Sequence, residues 1–118
     1  MPNKIQTEYG SVSISKEVFA TIAGAAAMEC YGLVGMAPKT LQDGLVVMLG
    51  RESLRKGVEV TLQDNGLAVD LYIIVGYGTR ISVVARNVME KVKYTLEDIT
   101  GVKVDRVDIV VQGVKVVD

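Results

Sequence analysis

Two alternating apolar runs joined by a short polar turn constrain the fold of this chain more than any other feature. Every second residue is apolar from Val58 to Leu62 and again from Leu67 to Val75, which is the period of a strand with one buried face. Asn65-Gly66 lies between the runs and favours a two-residue hairpin turn in which Asp64 faces Leu67. The predicted pairs are Leu62 with Val69, Val60 with Leu71 and Val58 with Ile73.

Two other segments have the 3.6-residue period of amphipathic helices. The first begins after Ser15, a favourable N-cap, and ends near Gly32. The second runs from about Thr79 to Thr100 and ends at Gly101. The stripe predicted for the first helix is Val18, Ile22, Ala25, Ala26 and Glu29. The stripe predicted for the second is Ile81, Val84, Ala85, Val88, Val92, Leu96 and Ile99.

The remaining segments complete the element order. Residues 11–15 read as a first strand, and the glycine and proline content of residues 32–38 predicts a loop. Residues 40–49 favour a short helix, although Asp43-Gly44 suits a turn into a strand equally well. The last strand has Val107, Ile109 and Val111 on one face, and the change of parity before it predicts a bulge near Asp105 and Arg106.

These elements predict one α+β domain spanning residues 1–118. The order is strand, helix, possible second helix, hairpin, long helix and strand. We expect a small mixed or antiparallel sheet of three to four strands, with two to three helices packed on one face.

Composition excludes several classes of function. The 118 residues contain no His and one Cys, which excludes Ser-His-Asp triads, Cys-His dyads and zinc sites that use His. A net charge of −1 argues against non-specific nucleic-acid binding. The longest charge-free run, Val18–Met28, is too short to span a bilayer, and the N-terminus lacks a signal-peptide pattern. We therefore expect a cytoplasmic, non-enzymatic protein that uses no cofactor or metal.

The sheet face opposite the helices is the strongest candidate site. Because an apolar fraction of 49% is high for a small domain, part of the apolar surface is expected to bind a second copy or another protein. The residues predicted to make that contact are Glu59, Thr61, Asp70, Tyr72, Ile74, Asp108 and Val110. The alternative is that a tail, such as Val114–Val117, folds over this face.

Gly76-Tyr77-Gly78-Thr79-Arg80 is a weak anion-site candidate, through Gly76, Gly78, Thr79 and Arg80. It lies between a strand and a helix N-terminus, but Ile81 replaces the third glycine of the dinucleotide fingerprint and no full βαβ unit is predicted around it. Ordinary turn chemistry is the favoured interpretation.

Other charged or reactive groups have structural explanations. The acidic pairs Glu97-Asp98 and Asp105 with Asp108 suit a solvated surface, and Cys30 suits packing. The basic residues Lys39, Arg51, Arg55 and Lys56 suit a solvated edge. The element order around Gly32-Leu33-Val34-Gly35 is also that of a KH RNA-binding module, but Leu33 and Val34 would not attract a phosphate backbone.

Motifs along nearly the whole chain resemble the alkaline shock protein family of Gram-positive bacteria. They include residues 10–18, Ile22–Ala26, Gly32–Met36, Leu49–Arg51, Lys56–Val58, Val69–Val75, Tyr77-Gly78, Gly101-Val102 and Val110–Val114. This resemblance implies a cytosolic, self-associating protein that supports envelope or stress homeostasis and has no established enzymatic activity. It also implies peripheral placement at the inner membrane face through a small membrane-anchored partner in some members.

The short form of the chain is similar to housekeeping-type members encoded beside a dihydroxyacetone-kinase-like protein. A regulatory partnership with that kinase-like enzyme is therefore an alternative function. RNA or anionic-ligand binding is a third, and the acidic composition disfavours it.

Overall fold

The computed structural model describes residues 4–38 and 55–116. Within these residues, six strands and two α-helices follow one another along the chain. They are β1 (Lys4–Thr7), β2 (Gly10–Ser13), α1 (Lys16–Met28), β3 (Leu33–Met36), β4 (Val58–Gln63), β5 (Gly66–Gly76), α2 (Ile81–Thr100) and β6 (Val104–Lys115).

Strand β5 is the centre of the main sheet. β6 runs parallel to it from Leu67 to Gly76, whereas β4 and β3 run antiparallel to its first and second halves. Because β6 occupies one side of β5 along this length, β3 and β4 share the other side, end to end. The Ala37 N–H donates to the Tyr72 carbonyl oxygen (2.9 Å) in the gap between them. β3 and β4 together therefore form one edge of the sheet, with a gap between them.

Both helices pack on one face of this sheet, as predicted. α1 packs against β3 and β4, α2 packs against β6, and the two helices contact each other. Apolar side chains from both layers form the core; the largest fully buried ones there are Phe19, Met36, Leu67, Leu71, Ile73 and Leu96. The α+β class is confirmed, with a sheet that is mixed because β6 is parallel.

The N-terminal strands form a separate two-stranded sheet. β2 matches the strand predicted at residues 11–15, but it pairs with β1, which the sequence pattern did not predict. Val12 is exposed in this hairpin, whereas Ile14 packs partly against the core. Alternation in so short a segment does not reveal which sheet the strand will join.

The predicted hairpin is present, but its register differs by two residues. Val60 pairs with Val69 and Gln63 with Gly66, so Asp64 and Asn65 form the turn. The apolar face is unchanged because a shift of two residues preserves side-chain direction. The reason is the close approach of another strand, since a Cβ on Gly66 would lie 2.7 Å from the Lys103 carbonyl oxygen. Gly66 is thus required inside the sheet rather than in the turn.

The buried face of α1 agrees only in part with the predicted one, since Ala26 is buried and Ile22 packs against the core. Phe19, Ala20, Ala23, Gly24, Ala26 and Ala27 are buried, whereas Val18 is 46% exposed and Ala25 is exposed. The helix turns its single aromatic residue inward because Phe19 offers far more apolar surface than Val18. Ser15 is the N-cap, without a side-chain hydrogen bond, and the helix ends at Met28 rather than near Gly32.

The second helix and the last strand agree more closely with their predictions. α2 buries Val84, Val88, Val92 and Leu96 and ends at Gly101, which has a left-handed backbone. The end positions of the predicted stripe, Ile81 and Ile99, are exposed. The predicted bulge is confirmed, since Leu67 pairs with Val104 and Ala68 with Arg106, which leaves Asp105 unpaired. A second bulge at Gln112 was not predicted.

Two further expectations are wrong. Residues 33–36 form β3 rather than a loop, so Gly32-Leu33-Val34-Gly35 is not a loop between helices and the KH-like arrangement is not present there. β5, α2 and β6 do form a full βαβ unit around the Gly76–Arg80 segment, because β6 is parallel to β5. The prediction for residues 40–49 lies outside the described residues.

Candidate interaction surface

The sheet face that points away from the helices, called the outer face below, carries the predicted contact residues in ordered rows. Glu59, Asp70 and Asp108 are cross-strand partners and form an acidic row over three strands. The next rows are Thr61, Ala68 and Arg106 on one side and Tyr72 with Val110 on the other. The structure therefore brings most of the predicted contact residues together.

The acidic row has a distinct electrostatic character. Arg106 Nε donates to Asp108 Oδ2 at 2.9 Å and neutralises one carboxylate. Partial burial raises the pKa of Asp70, and the neighbouring Asp108 and Glu59 carboxylates raise it further, although Arg106 opposes them. The centre of the outer face thus disfavours negative charge at Asp70 and suits a partner that brings a positive or donor group.

Apolar groups beside the acidic row are unequally accessible. Tyr72 is half-buried and Val110 is 40% exposed. Ile74 is only 2% exposed and does not contribute to it, contrary to expectation.

The chain after β3 turns toward β6. Gln112 Nε2 on β6 donates to the Pro38 carbonyl oxygen at 3.4 Å, although β3 and β6 lie on opposite sides of β5. Because two strand spacings are about 9.6 Å, this bond connects the chain end of β3 to β6 across the width of β5. Of the tail considered as an alternative cover, Val114 lies within β6 and Val116 is exposed, whereas Val117 lies outside the described residues.

The Gly76–Arg80 segment is closed by its own hydrogen bonds. The Gly76 carbonyl oxygen accepts bonds from Thr79 Oγ1 (2.7 Å) and the Thr79 N–H (3.3 Å). The Gly76 N–H donates to the Gly32 carbonyl oxygen (3.0 Å), and Gly78 has a φ of +94°. Arg80 occupies the N-cap position of α2 without a side-chain cap bond. This geometry is that of a tight turn, in agreement with the favoured interpretation.

The carboxylates near the end of α2 have a structural use. Glu97 Oε2 accepts a hydrogen bond from the Val104 N–H at 2.9 Å and so fixes the start of β6 against the helix. Among residues 4–38 and 55–116, no cluster of three or more Asp, Glu, Cys or His side chains could hold a metal ion.

Cys30 lies between the two helices. Its Sγ approaches the carbonyl oxygens of Ala26 (3.8 Å) and Asn87 (3.9 Å), and burial raises its pKa, so the thiol is favoured over the thiolate. Cys30 is partly buried and packs against the core.

Arg55 and Lys56 line an open groove of about 410 Å³ with Lys16 of α1. Glu17 and Glu59 line the same groove, so opposite charges alternate there, as on a solvated edge. The other two residues of the predicted basic group, Lys39 and Arg51, lie outside the described residues.

Among the exposed tyrosines that sequence reasoning missed, Tyr31 and Tyr77 lie near each other in the fold. Tyr31 is 89% exposed and Tyr77 is 75% exposed. They lie at the same end of the sheet. Tyr77 follows Gly76, Tyr31 precedes Gly32, and the Gly76 N–H donates a hydrogen bond to the Gly32 carbonyl oxygen. Each tyrosine borders a turn glycine, and neither belongs to a periodic pattern that could have signalled its exposure.

None of the helices within residues 4–38 and 55–116 combines the length and apolar character needed to cross a bilayer.

The sequence that builds this sheet and its two helices matches a known family over residues 4–116, the alkaline shock protein 23 family, described as having a cell envelope-related function. The chain belongs to this family. This confirms the resemblance to alkaline shock proteins. A Bacillus subtilis relative, "Uncharacterized protein YloU", is 50% identical over 117 residues, covering 98% of each chain.

Other relatives extend the same similarity. "Uncharacterized protein Spy1614" of Streptococcus pyogenes is 42% identical over 118 residues, covering 99% of this chain and 98% of the relative. "Uncharacterized protein YqhY" of Bacillus subtilis is 35% identical over 109 residues, covering 92% of this chain and 80% of the relative. No solved structure matches this sequence.

Proposed function

We propose that this member of the alkaline shock protein family acts by binding other proteins, copies of itself included, and catalyses no reaction. The observation that carries the proposal is the outer face, where exposed apolar surface at Tyr72 and Val110 borders charged groups that can confer specificity. The envelope-related function of the family supports a role in cell-envelope or stress homeostasis.

The composition of the outer face suits recognition rather than chemistry. Interfaces combine aromatic and apolar anchors with a polar rim that excludes wrong partners. Tyr72 is an amphipathic anchor, and the adjacent acidic row of Glu59, Asp70 and Asp108 would select partners of complementary charge. A small membrane-anchored protein is one such partner, and its binding would place the chain at the inner membrane face.

Sedimentation velocity combined with light scattering tests the proposal directly. The wild type is expected to self-associate as its concentration rises from the micromolar to the millimolar range. Tyr72→Glu adds a fourth carboxylate to the outer face beside the acidic row and is expected to abolish capture of a partner from envelope fractions.

Tyr9→Glu is the matched control, because Tyr9 is 93% exposed and lies in the turn between β1 and β2, which form a separate sheet. A wild type that remains monomeric throughout, with Tyr72→Glu capturing the same proteins as Tyr9→Glu, would contradict the proposal. Specific recovery of a dihydroxyacetone-kinase-like enzyme would instead favour the regulatory-partner alternative.

A further inference from the structure

The outward edge of β6 presents backbone N–H and C=O groups that no strand in the described part of the chain pairs with. β6 pairs with β5 on one side, and its other side pairs with no strand among residues 4–38 and 55–116. Between the bulges at Asp105 and Gln112, residues Arg106–Val111 pair one-to-one with Ala68–Ile73. This regular stretch is the part of the edge whose backbone geometry suits addition of another strand.

Apolar side chains border this edge on the helix side of the sheet. Ile109 and Val111 pack against the core but are only half-buried. On α2, Met89 is 38% exposed, and Lys91 marks the flank facing α1 because it pairs with Glu29. Met89 lies about 160° around the helix from Lys91, on the β6 side. The edge is thus bordered by apolar surface that a neighbouring copy could cover.

We propose that two copies of this chain pair β6 to β6 in antiparallel orientation. The two-fold axis that relates them passes midway between Ile109 of one copy and Ile109 of the other. The inference rests on the proposed function, since it assigns the contact between copies to the β6 edge and leaves the outer face to other partners. It joins the two main sheets into one, with all four helices on the same side.

Symmetry and side-chain direction restrict the possible registers. Directly opposed residues in an antiparallel pair point to the same face of the sheet. The axis must therefore lie midway between one residue and the same residue of the second copy. An axis at Arg106 or Val107 would bring the bulged Asp105 opposite Val107 or Ile109, respectively. An axis at Val110 or Val111 would bring the bulged Gln112 opposite Asp108 or Val110, respectively. All four disrupt the centre of the pairing.

Charge decides between the two remaining positions. An axis at Asp108 would set two carboxylates directly opposite each other, which destabilises a strand pair. An axis at Ile109 sets Ile109 against its own copy and Val107 against Val111 of the second copy, all on the helix side. On the outer face, Asp108 then faces Val110 of the second copy, and its carboxylate keeps its bond to Arg106 (2.9 Å).

Cysteine cross-linking tests this register in the full chain. With the native thiol removed by Cys30→Ser, single cysteines are introduced as Ile109→Cys or Asp108→Cys and oxidised. Ile109→Cys is expected to form a disulfide-linked dimer rapidly, because opposed Cα atoms in an antiparallel pair lie about 4.5–5.5 Å apart. In this register Asp108 lies opposite Val110 of the second copy, so the two Asp108 residues are two positions apart along the paired strands. This separation is beyond the reach of a disulfide.

A matched charge pair at Val110 gives an independent readout. Val110→Lys places a cation opposite Asp108 of the second copy, whereas Val110→Glu places a carboxylate there. Sedimentation should show a dissociation constant about three- to tenfold lower for Val110→Lys and higher for Val110→Glu.

The outcomes separate the register from the proposed function. A wild type that self-associates while Ile109→Cys fails to cross-link, or while Asp108→Cys cross-links faster, overturns the β6 pairing and leaves the proposed function standing. A wild type that stays monomeric at all concentrations, with neither cysteine cross-linking, overturns the pairing and the self-association together. Rapid cross-linking of Ile109→Cys with opposite shifts for the two Val110 variants supports the pairing.

Discussion

Replacing Gly66 with alanine should destabilise the fold strongly, because β5 and the start of β6 approach each other closely at this glycine. The added Cβ would lie 2.7 Å from the Lys103 carbonyl oxygen and 3.2 Å from the Asp105 backbone nitrogen. Gly66 also has a φ of +131°, which side chains rarely tolerate. Both colliding atoms are backbone, so neither can rotate away.

The size of the effect follows from two contributions. The backbone conformation costs an alanine about 1–2 kcal/mol. Relief of the clash must separate the strands and lose the bond from the Leu67 N–H to the Lys103 carbonyl oxygen (2.9 Å), worth about 0.5–1.5 kcal/mol net. The expected loss in the free energy of unfolding is therefore about 1.5–3.5 kcal/mol. With about 2.1 cal/mol/K per residue over 118 residues, this lowers Tm by about 6–14 °C.

Gly101→Ala is the control for the backbone contribution. Gly101 has a φ of +74° and open space around its Cα, so alanine should cost only about 1 kcal/mol there. Thermal and urea unfolding, followed by circular dichroism, measures both variants. Equal destabilisation of Gly66→Ala and Gly101→Ala would refute the close-approach argument and the register derived from it.

Two further perturbations probe the core and the outer face. Phe19→Ala should lower the free energy of unfolding by about 3–5 kcal/mol because Phe19 is fully buried. Val18→Ala, on the exposed side of α1, should change it by less than about 1 kcal/mol. Similar losses for the two variants in urea unfolding would contradict the observed orientation of α1. Asp70→Asn should raise stability at neutral pH by up to about 1 kcal/mol, since burial and Asp108 raise the pKa of Asp70 in the folded chain. Because the pKa of Asp70 is raised in the folded wild type, the stability of the wild type falls as pH rises from the ordinary Asp pKa through the raised one. In pH-dependent unfolding, the stability advantage of Asp70→Asn should therefore vanish below that pH window. An advantage that stays constant with pH would exclude titration of Asp70 as its cause.

Local pattern predicted the elements whose boundaries depend on local chemistry. The alternation around β4 and β5 and the glycine after α2 are signals read within a few residues, and both are confirmed. The parity change before Val107 likewise predicted the bulge at Asp105, because a bulge reverses side-chain direction wherever the strand is placed.

Tertiary contacts decided what the pattern could not. Gly66 suits a turn by its local chemistry, but the approach of Lys103 from a distant part of the chain assigns it to β5 instead. The stripe predicted for α1 left out Phe19, and the burial of that side chain against the sheet sets the orientation of the helix instead. The parallel direction of β6 follows from the packing of α2 across the sheet, and hydrophobic periodicity carries no information about strand direction.

The outer face shows the same limit at the candidate site. Alternation placed Glu59, Asp70, Tyr72 and Val110 on one face correctly, because that requires only side-chain parity. It could not foresee that Pro38 crosses toward Gln112 and that Ile74 is buried. Covering of a sheet face depends on where the following segment leads, which is a property of chain topology rather than of strand pattern.

The two edges of the main sheet also differ in a way that bears on assembly. One edge is interrupted between Ala37 and Val58, whereas β6 is continuous along the other. Pairing β6 with β6 uses the same edge in both copies, so it closes at a dimer and does not propagate into a fibre. The axis is perpendicular to the sheet, and both outer faces therefore point away from the helices in the same direction. A partner held on a surface would meet two outer faces at once, which strengthens binding without any new contact within either copy.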